Sequence, residues 1–180
     1  MNDKFAESIF HRRHVVCGIR LHPFTFAHAA ALDFAGSPYA SLTGAATLDD
    51  VVFALAVCRA PGAFPIQLPK VGFFKTRIIA KAVYRAGLSE AHAALMAYFD
   101  DYNCPPDMWQ QKGSRAVRVP WPLYFVACLI RNGRMTQKQA WETEVGYGRW
   151  MCAALAEAGG NEIAVISDAE REAMKEAGYG

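Results

Sequence analysis

Apolar residues recur at the three-to-four-residue spacing of an amphipathic helix in at least six separate segments, and glycine or proline closes nearly every one of them. This punctuation constrains the fold strongly. Helices so short are marginal alone in water, so each must bury its apolar stripe against its neighbours.

The first stretch has Phe26, Ala29, Ala30, Leu32 and Phe34 behind a capping Thr25, with Gly36-Ser37-Pro38 as its stop and a small-residue loop beyond. The second opens at Thr47 or Asp49, runs through Val51, Val52, Leu55 and Ala56, and ends at Pro61-Gly62. A third is expected from Lys70 to Ala86, with Phe73, Phe74, Ile78, Ile79, Ala82 and Val83 inward and Lys75, Arg77, Lys81 and Arg85 outward. Gly87 stops it, and Ser89-Glu90 opens a fourth over Ala91 to Asp101, striped by Ala94, Leu95, Tyr98 and Phe99. Leu123 to Arg131 reads as a buried helix ending near Asn132-Gly133. Thr136 caps a long helix to Gly159-Gly160, with Gly146 and Gly148 placed to kink its middle. Ser167 and Glu170 form a capping-box pattern before a last short helix.

Two stretches alternate like strands, His14 to Leu21 and Ile163 to Ile166, and Val15–Leu21 is expected to pair with Ile163–Ile166. The fold class expected is therefore mainly α: a single helical domain over 1–180 with a small two-stranded β element. Asp107 to Pro122 is the most irregular segment and reads as an exposed, mobile loop; loops of that length in a small domain tend to be functional or disordered.

Composition agrees with one folded domain. The chain has 180 residues, 53% hydrophobic and 20% charged, enough apolar surface for a core and far from the composition of a disordered chain. A formal net charge of +2 does not by itself imply nucleic acid or an anionic membrane as partner. The longest apolar run, Val119 to Ile130, is interrupted by Pro120 and Pro122 and is shorter than the roughly 20 residues that cross a bilayer. No secretory leader pattern opens the sequence, so the expected compartment is the cytoplasm. The five cysteines are scattered without a CxxC pair, which suits reduced thiols better than a disulfide framework.

Several clusters carry residue types capable of chemistry, and each also has a plainer structural role. His11, His14, His22 and His28 fall close together and could in principle ligate zinc, but Arg12 and Arg13 would oppose a cation and the i, i+4 spacing of a helical site is missing. Cys17 with His14, or Cys104 with His92, could form a nucleophile and base, yet the pattern gives no sign of contact. Asp49-Asp50 suits a helix start, and Asp100-Asp101 reads as solvent-facing. No phosphate-loop, dinucleotide, zinc-protease or nucleophile-elbow motif occurs. The expectation is thus no catalytic residue, no metal and no cofactor. Lys70, Lys75, Arg77, Lys81 and Arg85, with Lys112, Arg115 and Arg118 beside Trp109, could make a nucleic-acid face, but positions 75, 77, 81 and 85 read equally well as the solvated back of an amphipathic helix, and that plainer reading is the stronger.

Aromatics and methionines outside the stripes (Tyr39, Phe64, Met108, Trp109, Trp121, Tyr147 and Trp150) suit either a partner-binding groove or ordinary packing. Met108 and Trp109 are the expected partner anchors because no helical stripe claims them, and Trp121 stands between two prolines at the far end of the same segment.

The segment from Ile19 to Ala40, with Leu-x-Pro-Phe at Leu21 to Phe24 and Gly-Ser-Pro-Tyr at Gly36 to Tyr39, resembles the openings of small proteins from phage and prophage tail gene clusters. LDDVVFALAVCRAP and a late tryptophan-bearing helix ending in Gly-Gly continue in that style. The resemblance is to tail assembly chaperones, and it implies a non-enzymatic helical protein that binds the tape-measure protein or tail-tube subunits in the host cytoplasm. A structural component retained in the virion is the alternative. A homo-oligomer is compatible with either role.

Overall fold

The computed structural model describes residues 5–6, 14–41, 46–68, 73–106, 119–160, 166 and 168–176. These residues are mainly helical, with a small antiparallel sheet.

At the centre lies α1 (Phe26–Phe34), which buries Phe26, Ala27, His28, Ala29, Ala31 and Leu32. A helix that is apolar on every side belongs inside the core rather than on its surface. Its first turn is closed by a capping box in which His28 takes the place that Glu or Gln usually holds. The Thr25 side chain accepts from the His28 backbone N–H, and His28 Nδ1 accepts from the Thr25 N–H at 3.2 Å. Around α1 pack α2 (Pro38–Ser41), α3 (Leu48–Arg59), α6 (Trp121–Arg131) and α7 (Gln137–Glu142).

Thr47 caps α3 through a reciprocal pair with Asp50, and the helix then buries seven residues from Val51 to Cys58. α4 (Phe73–Ala86) and α5 (Leu88–Tyr102) pack on α3 and on each other. α8 (Val145–Ala158) lies against α6, and α9 (Asp168–Glu176) is strongly polar.

The sheet differs from expectation. His14–Leu21 is a hairpin rather than one strand: β1 (Val15–Val16) pairs with β2 (Ile19–Arg20), and Val16 faces Ile19. Cys17 and Gly18 both have positive φ, at 51° and 75°, which is the backbone of the two-residue turn whose twist matches that of antiparallel strands. The stretch therefore satisfies its own hydrogen bonds and does not pair with Ile166; residues 163–165 lie outside those described.

Three helix expectations also change. Phe74 and Ile78, expected to face inward on α4, are 79% and 64% exposed, while Ile79 and Val83 are buried. The apolar residues of α4 wrap wider than the strip α3 and α5 cover, so only part of them reaches the core. The small-residue loop after Gly36 includes the single turn of α2. The long helix capped by Thr136 is two helices, α7 and α8, and the break falls at Thr143–Glu144, ahead of the glycines. There the chain makes an isolated antiparallel bridge to Thr25: the Phe26 N–H donates to the Thr143 carbonyl at 3.1 Å and the Val145 N–H to the Phe24 carbonyl at 3.0 Å. Gly148 serves close approach rather than kinking, because a Cβ there would stand 2.4 Å from the Phe26 ring.

Candidate functional site

Phe24, Tyr39 and Phe99 meet at the junction of α1, α2 and α5. The Phe24 and Phe99 rings stand edge to face with centroids 4.9 Å apart, and Tyr39 tilts over Phe99 at 5.4 Å. All three are buried. Together they floor an open cleft of about 280 Å³, whose half-buried rim is formed by Trp121, Phe125, Asn103 and Arg149. Trp121 meets Phe26 edge to face at 6.2 Å, and Phe26 stacks on Phe125 at 6.0 Å, so the core ring beneath α1 props both rim aromatics. The α1 start and the α7–α8 joint place Phe26 through the bridge at Thr143.

The polar end of the cleft is set by α8 reaching to the end of α5. Arg149 Nη1 donates to Asn103 Oδ1 at 2.7 Å, and the neighbouring Trp150 Nε1 donates to the Cys104 carbonyl at 3.0 Å. The guanidinium carbon of Arg149 lies 5.4 Å from the centre of the Phe125 ring. Burial lowers the pKa of Arg149, a sign that the cation has given up water. Tyr39 donates to or accepts from His92 Nδ1 at 2.8 Å, and burial, helped by Asp50, pushes its pKa up to about 12. Its phenol is therefore neutral at physiological pH.

Trp121 is the one expected anchor that lies in this wall; Met108 and Trp109 lie outside the described residues. The irregular segment ends earlier than expected, since Trp121 already begins α6, where Pro122 is tolerated in the first turn. Arg149 and Asn103 escaped the reading of the sequence. A single cation inside the apolar window VGYGRWMCAALA was the available signal for Arg149; Asn103 looked only like a helix stop.

The histidine group is dispersed. His28 is buried, with Nε2 2.8 Å from the Ala60 carbonyl and Nδ1 accepting from Thr25, an arrangement that requires the neutral ring protonated on Nε2. Burial lowers its pKa accordingly. His14 Nε2 lies 2.9 Å from Asp101 Oδ2, close enough for an ion pair but outside hydrogen-bond geometry, and its ring packs on Tyr98 and Tyr102. His22 is exposed, and His11 lies outside the described residues. Among the described residues no three His, Cys, Asp or Glu side chains gather as a metal site would require.

The cysteines follow burial rather than reactivity. Cys58 is fully buried and its thiol pKa is raised to about 12, Cys152 is raised further, and Cys17 is raised by burial and by Glu90. The Cys104 thiol donates to the Asp100 and Asp101 carbonyls, and His92 is engaged by Tyr39.

A second cavity of about 440 Å³ lies between α1 and residues 60–68 and is lined by His28, Val57 and Phe64 among others. Gly62 approaches so closely that a Cβ would overlap Thr25 and His28, which locks this connector onto the capping box. The one ionisable wall residue among those described, His28, has both ring nitrogens engaged, so the first cleft has the stronger claim.

No helix among the described residues is long and apolar enough to cross a membrane. In comparisons with protein-family models, curated proteins and solved structures, nothing matches the chain.

Proposed function

We propose that this chain is a non-enzymatic assembly factor that takes an apolar segment of another protein into the cleft at Trp121. The observation carrying this reading is that Phe24 and Tyr39, from the two halves of the Leu-x-Pro-Phe and Gly-Ser-Pro-Tyr pattern, meet in the floor of one cleft whose rim holds Trp121 and Arg149. Trp, Tyr and Arg are the residue types that dominate binding energy at protein interfaces, particularly around a partly desolvated pocket. The raised thiol pKa values of Cys58 and Cys152 weigh against nucleophilic chemistry at those positions.

The resemblance to tail assembly chaperones names the partner: the tape-measure protein or another tail protein, bound in the host cytoplasm before assembly. A long client with apolar stripes must be covered until it assembles, which calls for an apolar groove with a polar rim rather than a reactive centre.

Co-expression with the tape-measure protein of the same gene cluster tests the reading. The wild type should keep the client soluble and co-purify with it. Trp121→Ala should weaken association about thirtyfold, corresponding to about 2 kcal/mol at an interfacial tryptophan. Failure of the wild type to associate with any tail protein of the cluster would remove the proposal, and unchanged association in the folded variant would remove Trp121 from the interface.

A further inference from the structure

Among the described residues, Arg149 is a cation without an anion. Asn103 Oδ1 engages one of the five N–H donors that a guanidinium carries, and among the described residues no carboxylate lies within ion-pair distance. Half-buried beside the Phe125 ring, it has exchanged water for an aromatic face and one amide. Holding a partly desolvated charge unpaired costs stability, and such positions are characteristic of binding sites whose ligand supplies the missing charge. Asn103 reinforces this. Because its Oδ1 accepts from Arg149, its Nδ2 is a second donor at the same end of the cleft.

We propose that Arg149 and Asn103 form a carboxylate-reading end of the cleft, and that the occupant is a peptide segment with an acidic side chain beside an aromatic or branched apolar one. This inference rests on the partner-binding reading above and specifies the chemistry of the segment. A planar guanidinium matches a carboxylate through paired N–H donors. Among the described residues no second Arg and no Lys lines the cleft, so a doubly charged phosphate would leave part of its charge uncompensated against apolar walls. The volume of about 280 Å³ falls just below the roughly 300–1,000 Å³ range of drug-sized sites, which suits one apolar side chain and its neighbouring carboxylate.

The test uses the full chain and two probes, N-acetylphenylalanine and its carboxamide, which differ only in the charged group. Binding is read from the Arg149 Nε–H and Trp121 indole resonances by NMR titration. The acid should bind about tenfold more tightly than the amide, the discrimination expected for a hydrogen bond to a charged group. Arg149→Met should erase the difference, and Arg149→Lys, which keeps the charge but not the fork, should retain part of it. Equal affinity of the wild type for acid and amide, or no shift of either resonance with either probe, overturns the proposal without relying on any variant. Persistence of the preference in Arg149→Met, with its thermal midpoint intact, overturns it as well. The two readings fail separately. An acid preference without tail-protein association keeps the carboxylate site and removes the assembly role, whereas association with no acid preference does the reverse.

Discussion

Replacing Gly148 by alanine sets two well-characterised effects against each other, and the geometry decides between them. Alanine in a helix interior is favoured over glycine by about 0.5–1 kcal/mol, so helix propensity alone predicts stabilisation. Yet the new methyl would stand 2.4 Å from Phe26 Cε2, 2.9 Å from Cζ and 3.2 Å from the Thr143 methyl, where ordinary contact begins at 3.4 Å. The ring would have to retreat by about an ångström. It has nowhere to go, being fully buried, stacked on Phe125 and edge-on to Trp121. Overpacking of this kind costs about 1–3 kcal/mol, and the confinement of Phe26 places it at the upper end. The net expectation is a loss of about 2 kcal/mol, or a thermal midpoint about 4–8 °C lower for a domain of this size. Thermal unfolding followed by circular dichroism measures it. Adding Phe26→Leu should cost less in the Gly148→Ala background than in the wild type, because the smaller side chain makes room for the methyl. A midpoint equal to or above that of the wild type would refute the close approach of α8 to the ring.

Two further expectations follow from burial. His28 is held neutral, with its pKa below the unfolded value of about 6.5, so the unfolded chain takes up its proton first. Stability contributed by this residue is present above pH 6.5 and is lost as pH falls from there toward the folded pKa; thermal midpoints measured between pH 7.5 and 5 should drop more steeply in the wild type than in His28→Gln, and parallel slopes would contradict the assignment. On α4, Ile79→Ala should cost about 3 kcal/mol and Ile78→Ala no more than about 0.5 kcal/mol, with the reverse order in chemical denaturation restoring the inward placement of Ile78.

How far the sequence carries depends on whether a signal is local. Thr25, Thr47 and Thr136 announce their helices because a cap acts on residues three positions away, and all three cap in the structure. The Cys17-Gly18 turn was also local and could have been read from the glycine inside an alternating stretch, which favours a hairpin over one long strand. The break between α7 and α8 could not, because its cause is the backbone of Phe24 and Phe26 more than a hundred residues earlier. Ile78 and Ile79 are equivalent in composition, and only the width of the covering helices separates them. The cleft is a similar case. Its aromatics are visible as residues, but their convergence belongs to the packing of α1, α2, α5, α6 and α8, and what sets Arg149 apart is that no carboxylate among the described residues pairs with it.

The bridge between Thr25 and Glu144 also bears on how the chain comes off a ribosome. α1 is the central helix, yet its entry is stitched to residues 143–145, which emerge roughly 120 residues later. At roughly 5–20 residues per second, the nascent chain carries α1 for roughly 6–24 s before its backbone partner exists. α3, α4 and α5 arrive in that interval and can shelter one side of α1. Phe26, whose ring partners are on α6 and whose backbone partner is Thr143, has none of them until the last third is made. A ring fully buried in the finished protein is thus among the last to be enclosed.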